Sequence, residues 1–520
     1  MREVAKPKVL TEGEINRQLG CAAEHACPLL DNFCPPVLYL EHKNRGGVAL
    51  PKRILSAAIA LALLFALAVC AQAAPAAESI VSERELPLAD GTIRVTESRE
   101  EDRQLRTYRD KRGICLTTVR QNCVELDTVS SLYRELLPSG SILHLYDPEL
   151  SLRLDEPLTA GEYRANTAVI ELPNGETRFF CLPMTFIDGT HDVILHQPEL
   201  AGKLVAEETE DGIFLSVIGF GDETSDFIDF TMLSSPVPLF TWFDDNWALM
   251  WDRFTNDGES LMCYSGYYRF TPDDYTPGGE NCYYRCPATF LARATRWGIG
   301  KNTAAPLVTA AILDSAAQTQ NEHGFFPTAP RSGWLSRDYG IGHGFYDTRF
   351  NTDLLELLLH FRTLCGDVFR DPIARYAEFF LNFAEAHHRK TESGGWLVAD
   401  YWSENMPAEP HTSLNHQLAE CQQLYRLEDD FKDPRFGALA DRLLLAVEDT
   451  AADWIKPNSD LHYCRYADGS YGAQDYPDLT YKDLVLLRQY LQKFRSRSSP
   501  ALDTLIDAKG KWMDANGIPR

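Results

Sequence analysis

Phe369-Arg370-Asp371-Pro372 and Phe431-Lys432-Asp433-Pro434 are one helix start written twice, 62 residues apart. In each copy Asp is placed to cap the first free N–H groups of a helix. Pro fits the first turn, where no donor is needed. A repeat of this length holds two helices, and several such hairpins in series build a ring or partial ring with its loops gathered on one rim.

Working outward from these two starts, eight helices are expected: 288–297, 305–318, 352–364, 372–387, 413–427, 434–455, 481–494 and 500–514. Apolar residues recur at three- and four-residue spacing, as in Leu354, Leu355, Leu358, Leu359 and Phe361. The helices fall into four pairs. Successive pairs are followed by His323-Gly324-Phe325-Phe326-Pro327, Gly394-Gly395-Trp396-Leu397 and His462-Tyr463-Cys464-Arg465-Tyr466. These loops hold equivalent places in the repeat and should share one rim.

Upstream, residues 85–236 read as short extended runs. Ala168–Leu172, Pro173-Asn174-Gly175 and Thr177–Phe180 form a hairpin signal, with 141–145 and 213–218 as further strands. The expected fold is α+β: a β-sandwich or barrel-like domain at 85–236, then an incomplete (α/α) barrel of about four hairpins at 240–520. No chemistry-bearing cluster stands in the β part, so support is its expected role.

The chain has 520 residues, too many for one core, with 44% apolar and 11% aromatic residues. Its net charge of −25, from 50 basic and 75 acidic residues, excludes nucleic acid as a partner and gives no attraction to polyanions. Lys52-Arg53, the apolar run 54–69 and Ala71-Gln72-Ala73 resemble a secretory signal. The run falls short of the roughly 20 residues that span a bilayer. A signal or membrane anchor is therefore assigned to 48–77, and the setting expected is extracytoplasmic, secreted or membrane-anchored, in a bacterium. Residues 1–47, with Cys21, Cys27 and Cys34, read as a disordered or spurious extension without metal-knuckle spacing. Nine cysteines follow, of which Cys115/Cys123 and Cys282/Cys286 are near enough in sequence to pair under oxidising conditions.

Three polar-aromatic clusters lie on the expected rim. The first is 339–351, with His343, Tyr346, Asp347 and Arg349; its glycines do not follow a nucleotide-binding pattern. The second is Asp400-Tyr401-Trp402-Ser403-Glu404, followed by His411 and Asn415-His416. The third runs Tyr463-Cys464-Arg465-Tyr466, Tyr471 and Asp475-Tyr476. Trp and Tyr faces stack on sugar rings, Arg grips a carboxylate, and Tyr or Glu exchanges protons, so a saccharide ligand suits this set. His411 and His416 lack helical ligand spacing, and neither a metal nor a cofactor is expected. A Tyr on a helical repeat equally serves as a core residue with a satisfied hydroxyl.

Over residues 346–491 the sequence resembles the C-terminal region of the D-glucuronyl C5-epimerases. Asp400–Glu404 with Pro407, Pro410 and Asn415 is similar to that family's aromatic-acidic run and Asn-bearing helix. Leu461–Arg465 and Asp475-Tyr476 are similar to its two Tyr-bearing segments. The resemblance implies a β domain beside an incomplete barrel of four helical hairpins. It implies Tyr463, Tyr476 and Glu404 as catalytic groups, with Tyr401 as a substitute phenol, and Arg465 as the group that neutralises the substrate carboxylate. Arg349, Asp347, Tyr346, His343, Trp402, Asn415 and His411 are the further substrate-binding candidates. Two departures stand out: Asn405 occupies the place of a family tyrosine, and Pro477 that of a family histidine.

The function so implied is C5 epimerisation of D-glucuronate residues in a polysaccharide or oligosaccharide. A lyase would share its first proton abstraction. A glycoside hydrolase pairing Glu404 with Asp347 or Asp478, and a non-catalytic carbohydrate-binding surface protein, are the competing classes; a homodimer is compatible with each.

Overall fold

The computed structural model describes residues 79–124, 128–147, 152–164, 167–200, 202–239 and 260–520. The expected extension at 1–47, the signal or anchor at 48–77 and the start of the helical region near Asp244 lie outside the described residues. No helix among the described residues is long and apolar enough to cross a membrane.

The chain is a mixed α+β structure with a large antiparallel sheet. The Asn174-Gly175 hairpin forms as expected: Thr167–Glu171 pairs with Thr177–Asp188, Glu171 facing Thr177, and Gly175 takes the positive φ of 87° that the tight turn requires. Around it runs a 13-stranded sheet among the described residues. From its edge at Ser79–Leu88 it passes through Gly91–Arg99, Arg103–Asp110, Cys115–Asn122, Phe227–Ser235 and Thr177–Asp188 to Val193–His196.

A second sheet of four strands, Thr128–Leu137, Gly212–Gly221, Lys203–Thr209 and Gly161–Tyr163, packs against one face of the first. The pleat decides which neighbour goes where. Phe180 points into the apolar layer between the sheets with Leu132, Leu215 and Phe230. Its neighbour Phe179 points to the opposite face, into the core shared with the helices.

Strands do not stop at residue 236. Ser260–Cys263, Gly266–Phe270 and Cys282–Tyr284 extend the large sheet beyond Val193–His196. These pieces are short and buried on both faces, so they carry no alternation to be read. The nine described cysteines are all free, Cys115, Cys123, Cys282 and Cys286 included.

The described helices are α1 (Leu291–Trp297), α2 (Ala305–Ala317), α3 (Gly333–Tyr339), α4 (Thr348–Cys365), α5 (Arg370–Ala386), α6 (Leu414–Phe431), α7 (Pro434–Trp454), α8 (Leu479–Arg495) and α9 (Pro500–Ala515). Asp433 caps α7 as expected, accepting from Arg435 N at 2.9 Å. Its counterpart Asp371 does not cap: α5 begins earlier, at Arg370, and Asp371 lies inside the first turn. There its charge still favours the helix dipole.

Helix α6 is buried from Leu414 to Leu427 because α4, α7 and α8 all pack on it. Helix α2 is buried on every side because the sheet covers it as well. Arg84 Nη1 and the Tyr108 hydroxyl donate to the Asp314 carboxylate, each at 2.8 Å, and fasten α2 to the sheet. Leu86, Ile93, Val95 and Leu116 of the sheet share one apolar core with α2 and α4 to α9. Sheet and helices are thus a single packed body rather than a helical unit beside a separate support.

Candidate functional site

The loops at the N-terminal ends of α4, α6 and α8 zip together through short strands. Tyr346-Asp347 pairs with Tyr401-Trp402, so Asp347 lies opposite Tyr401. Thr412-Ser413, His462–Arg465 and Tyr471–Gln474 form a three-stranded sheet in front of α6. Arg389 braces it, donating to Pro410 O and Thr412 Oγ1 at 3.0 Å each and to Arg465 O at 3.4 Å.

Tyr463 stands in the middle strand of that sheet. Its ring meets Tyr476 edge to face at 5.5 Å and His411 at 5.7 Å. Both tyrosines are half-buried. His411 is the hub of the cluster: Trp334 stacks on it at 5.9 Å, and Tyr339, Tyr401 and Tyr466 surround it at 5.6 to 6.1 Å. Its Nδ1 lies 2.7 Å from the Tyr339 hydroxyl, and its Nε2 lies 3.2 Å from Asp400 Oδ2.

Asp400 is buried and satisfied from several sides. Ser413 N donates to both of its oxygens at 2.8 and 3.0 Å, and the Ser413 hydroxyl donates to it as well. Burial pushes this carboxyl up, but His416, His411 and Ser413 outweigh it and hold it below the ordinary carboxylate value. His416 sits 3.8 Å from Asp400 with Nδ1 2.8 Å from Thr348 Oγ1, and burial pulls its imidazole down to about 4. It is therefore neutral at physiological pH. Glu420 lies in the same buried layer of α6; burial first, and the Asp400 charge second, push its carboxyl well up.

Several sequence candidates belong elsewhere. Tyr346 is a core residue, wholly buried, with its hydroxyl 2.9 Å from that of Tyr376 and its ring between Phe325, Phe379 and Phe383. Asp347 caps α4 through Phe350 N at 3.0 Å. Arg349 is committed to protein carboxylates, with Nη1 2.6 Å from Asp483 Oδ2 and Nε 3.1 Å from Asp353 Oδ1. It is not free to grip a substrate. Asn415 is buried in the first turn of α6, and its main-chain oxygen accepts from Arg349. His343 is exposed and stacks at 3.7 Å on His191, in the turn between strands Thr177–Asp188 and Val193–His196, apart from the His411 cluster.

Trp402 turns to the other side of the rim, packing with His323, Phe325 and His387. Glu404 is exposed in the following loop, and Asn405 takes a φ of 62°. Tyr401 is only 1% exposed, wedged between Trp334, Phe345, His411 and His416. Arg465 is half-buried over the Tyr471 ring at 5.7 Å, and no carboxylate among the described residues pairs with it.

Sequence reasoning gave no role to Tyr339, Trp334, Asp400 or His416. Helix α3, which carries the first two, did announce itself. Ser332 is its N-cap, and Gly340, at φ 72°, ends it against Pro407. No group of three or more His, Cys, Asp or Glu among the described residues is arranged to hold a metal. Asp400 and His411, with the phenols around them, form a buried charge beside several weak acids, an arrangement suited to moving protons.

No protein-family model matches the chain, and no curated protein is significantly similar to it. Among solved structures, cellobiose 2-epimerase from Spirochaeta thermophila is 16% identical over 45% of this chain and 61% of that one, with a TM-score of 0.33. The chain thus spans less than two thirds of that protein. A D-mannose isomerase is 12% identical over 51% of this chain and 78% of its own, with a TM-score of 0.32. A family 76 glycoside hydrolase from a bovine Bacteroides thetaiotaomicron strain is 9% identical over 84% and 77%, with a TM-score of 0.35. Likeness of this size assigns no reaction.

Proposed function

We propose that this chain is a carbohydrate-active enzyme that inverts C5 of D-glucuronate residues in a polysaccharide, using Tyr463 and Tyr476 as the phenols on one face of the sugar. In this reading α4 to α9, with α1 and α2, form an incomplete α/α barrel of about four hairpins, and the sheets brace it. The observation that carries the proposal is the edge-to-face pair Tyr463–Tyr476, half-buried beside His411.

The chemistry is demanding. A hydrogen alpha to a carboxylate leaves only if the carboxylate charge is neutralised and the base is shielded from water. Arg465, the rim guanidinium without an acidic partner among the described residues, supplies the first condition in this reading. A phenol has an ordinary pKa of about 10, so Tyr463 serves first as the acid that returns a proton to carbon. Glu404, on the exposed loop, is the remaining acid/base candidate.

The hydrolase alternative needs two carboxyl groups roughly 5 to 9.5 Å apart across the sugar. The partners it would give Glu404 are otherwise engaged. Asp347 caps α4, and Asp478 pairs with Lys482 at 3.1 Å.

The test is incubation of the chain with a D-glucuronate polymer in D2O. Deuterium entering C5 together with L-iduronate formation supports the proposal. An unsaturated uronate product would mean that the same abstraction ends in elimination. No exchange across a panel of glucuronate polymers overturns it.

A further inference from the structure

Inversion by proton transfer needs a group on each face of the sugar, and the sequence leaves the second one unfilled. Asn405 stands where the resembled family carries a tyrosine, and Tyr401 is packed on four sides. Helix α3 offers another phenol. Resting on the epimerase reading above, we propose that Tyr339 is the second catalytic phenol, acting through His411 and Asp400 as a relay.

The geometry has three parts. Tyr339 Oη lies 2.7 Å from His411 Nδ1. His411 Nε2 lies 3.2 Å from Asp400 Oδ2, close enough for charge pairing, although Nε2 is not aligned for a hydrogen bond. The rings of Tyr339 and Tyr463 lie 5.6 and 5.7 Å from that of His411, so two phenols contact one imidazole.

Asp400, held ionised, favours the proton on Nε2. Nδ1 is then the acceptor, and the Tyr339 O–H donates to it. Burial, with Cys464, Tyr466 and Asp400 close by, pushes the Tyr339 phenol well up. Free phenolate is therefore scarce at neutral pH. The relay removes the need for it.

As the C5–H bond breaks, its proton goes to Tyr339 Oη while the phenolic proton passes to His411 Nδ1. The C–H electron pair moves into the uronate carboxylate as an enediolate held by Arg465. Tyr339 ends neutral, and His411 ends as an imidazolium beside the Asp400 carboxylate. Tyr463 then gives its O–H proton to C5 from the opposite face and is left as phenolate. His411 returns its extra proton to solvent, and Tyr463 regains one from solvent. Asp400 touches no substrate; it is a positioning residue that stabilises the imidazolium.

The experiment follows label release from C5-deuterated polymers of D-glucuronate and of L-iduronate, each with wild type, Tyr339→Phe and Tyr463→Phe. Loss of one phenol from a two-sided site should slow release from one epimer by about 100-fold or more. Release from the other epimer should continue near the wild-type rate. The expected result is that pattern for Tyr339→Phe and its mirror image for Tyr463→Phe. His411→Gln should follow Tyr339→Phe in its epimer preference. A Tyr339→Phe chain that folds with an unchanged thermal midpoint but slows both epimers equally, or neither, overturns the relay. If Tyr339→Phe does not fold, a His411→Gln chain without epimer preference overturns it. Absence of release by the wild type from either polymer overturns the epimerase reading itself.

Discussion

Lys509 and Asp475 form a fully buried ion pair, Nζ to Oδ2 at 2.7 Å, and the same ammonium lies 2.6 Å from Asp460. The Lys509 side chain has no exposed surface. Asp475 also accepts from Thr480 Oγ1 at 2.6 Å, so α8, α9 and the segment leading to Tyr476 are tied at one point. Removing the cation strands the buried Asp475 carboxylate, while Asp460 keeps Lys456 at 3.4 Å; breaking such a pair costs on the order of 3 to 5 kcal/mol. Lys509→Met should lower the urea midpoint accordingly. A shift within a few tenths of a kcal/mol would show that the three groups do not act as a unit.

His416 makes stability pH-dependent with a definite sign. Its folded-state pKa is lowered to about 4 by burial, from an ordinary value near 6.5. Between these values the unfolded chain binds the proton more readily. Stability from this group is therefore full above about pH 6.5 and falls as the pH drops toward 4, by roughly 3 kcal/mol in all. Asp475 and Asp483, whose carboxyls burial raises to about 6, work in the opposite direction. The difference between wild type and His416→Gln isolates the imidazole. Urea midpoints at pH 7 and pH 4.5 should converge for the variant relative to wild type. Parallel curves would place the His416 titration elsewhere.

The helices from residue 300 onward, except the short α3, were legible from spacing with cap or Pro signals, as at Asp433-Pro434 and α7. The Asn174-Gly175 hairpin was legible for the same reason: only a short-range turn was needed. What could not be read depends on partners distant in sequence. Tyr346 and Arg349 sit within five residues of Asp347 and look like one polar cluster. The fold sends Tyr346 into the α5 aromatics and Arg349 to Asp483, 134 residues away. Conversely, Tyr339 meets its partner His411, 72 residues on, only through the packing of α3. One dimension shows that polar groups are near each other in the chain. It does not show which face of an element each will take.

Arg349 should thus behave as a structural residue. It pairs with Asp353 one turn on along α4 and bridges to Asp483 of α8; both acids are buried, and its loss leaves Asp483 without its cation while Asp353 keeps Arg293 at 3.2 Å. Arg349→Met should cost about 3 to 5 kcal/mol. Arg349→Met/Asp483→Leu, which removes both charges of the shorter contact, should recover part of that loss. A fully stable Arg349→Met chain whose only defect is weak substrate binding would restore the substrate-binding role given to it by sequence.

Arg465 should show the reverse profile. No carboxylate among the described residues pairs with it, and it lies half-buried over Tyr471. Its contribution to the folded state is packing of its stem and a cation–π contact, worth about 0.5 to 1 kcal/mol at such a site. Arg465→Gln should therefore leave the urea midpoint nearly unchanged. The proposed reaction, by contrast, needs a positive charge where the uronate carboxylate becomes an enediolate. Losing a charge-assisted contact made in both ground and transition states raises KM; losing one that strengthens as charge develops also lowers kcat. The expected outcome is a fall in kcat/KM of about 100-fold or more, with part of it in kcat. Arg465→Lys should restore binding more than turnover, because an ammonium cannot grip the carboxylate through two parallel bonds. If Arg465→Gln instead unfolds the chain while residual activity per folded molecule is normal, the guanidinium serves the Tyr471 packing and the substrate carboxylate is held elsewhere.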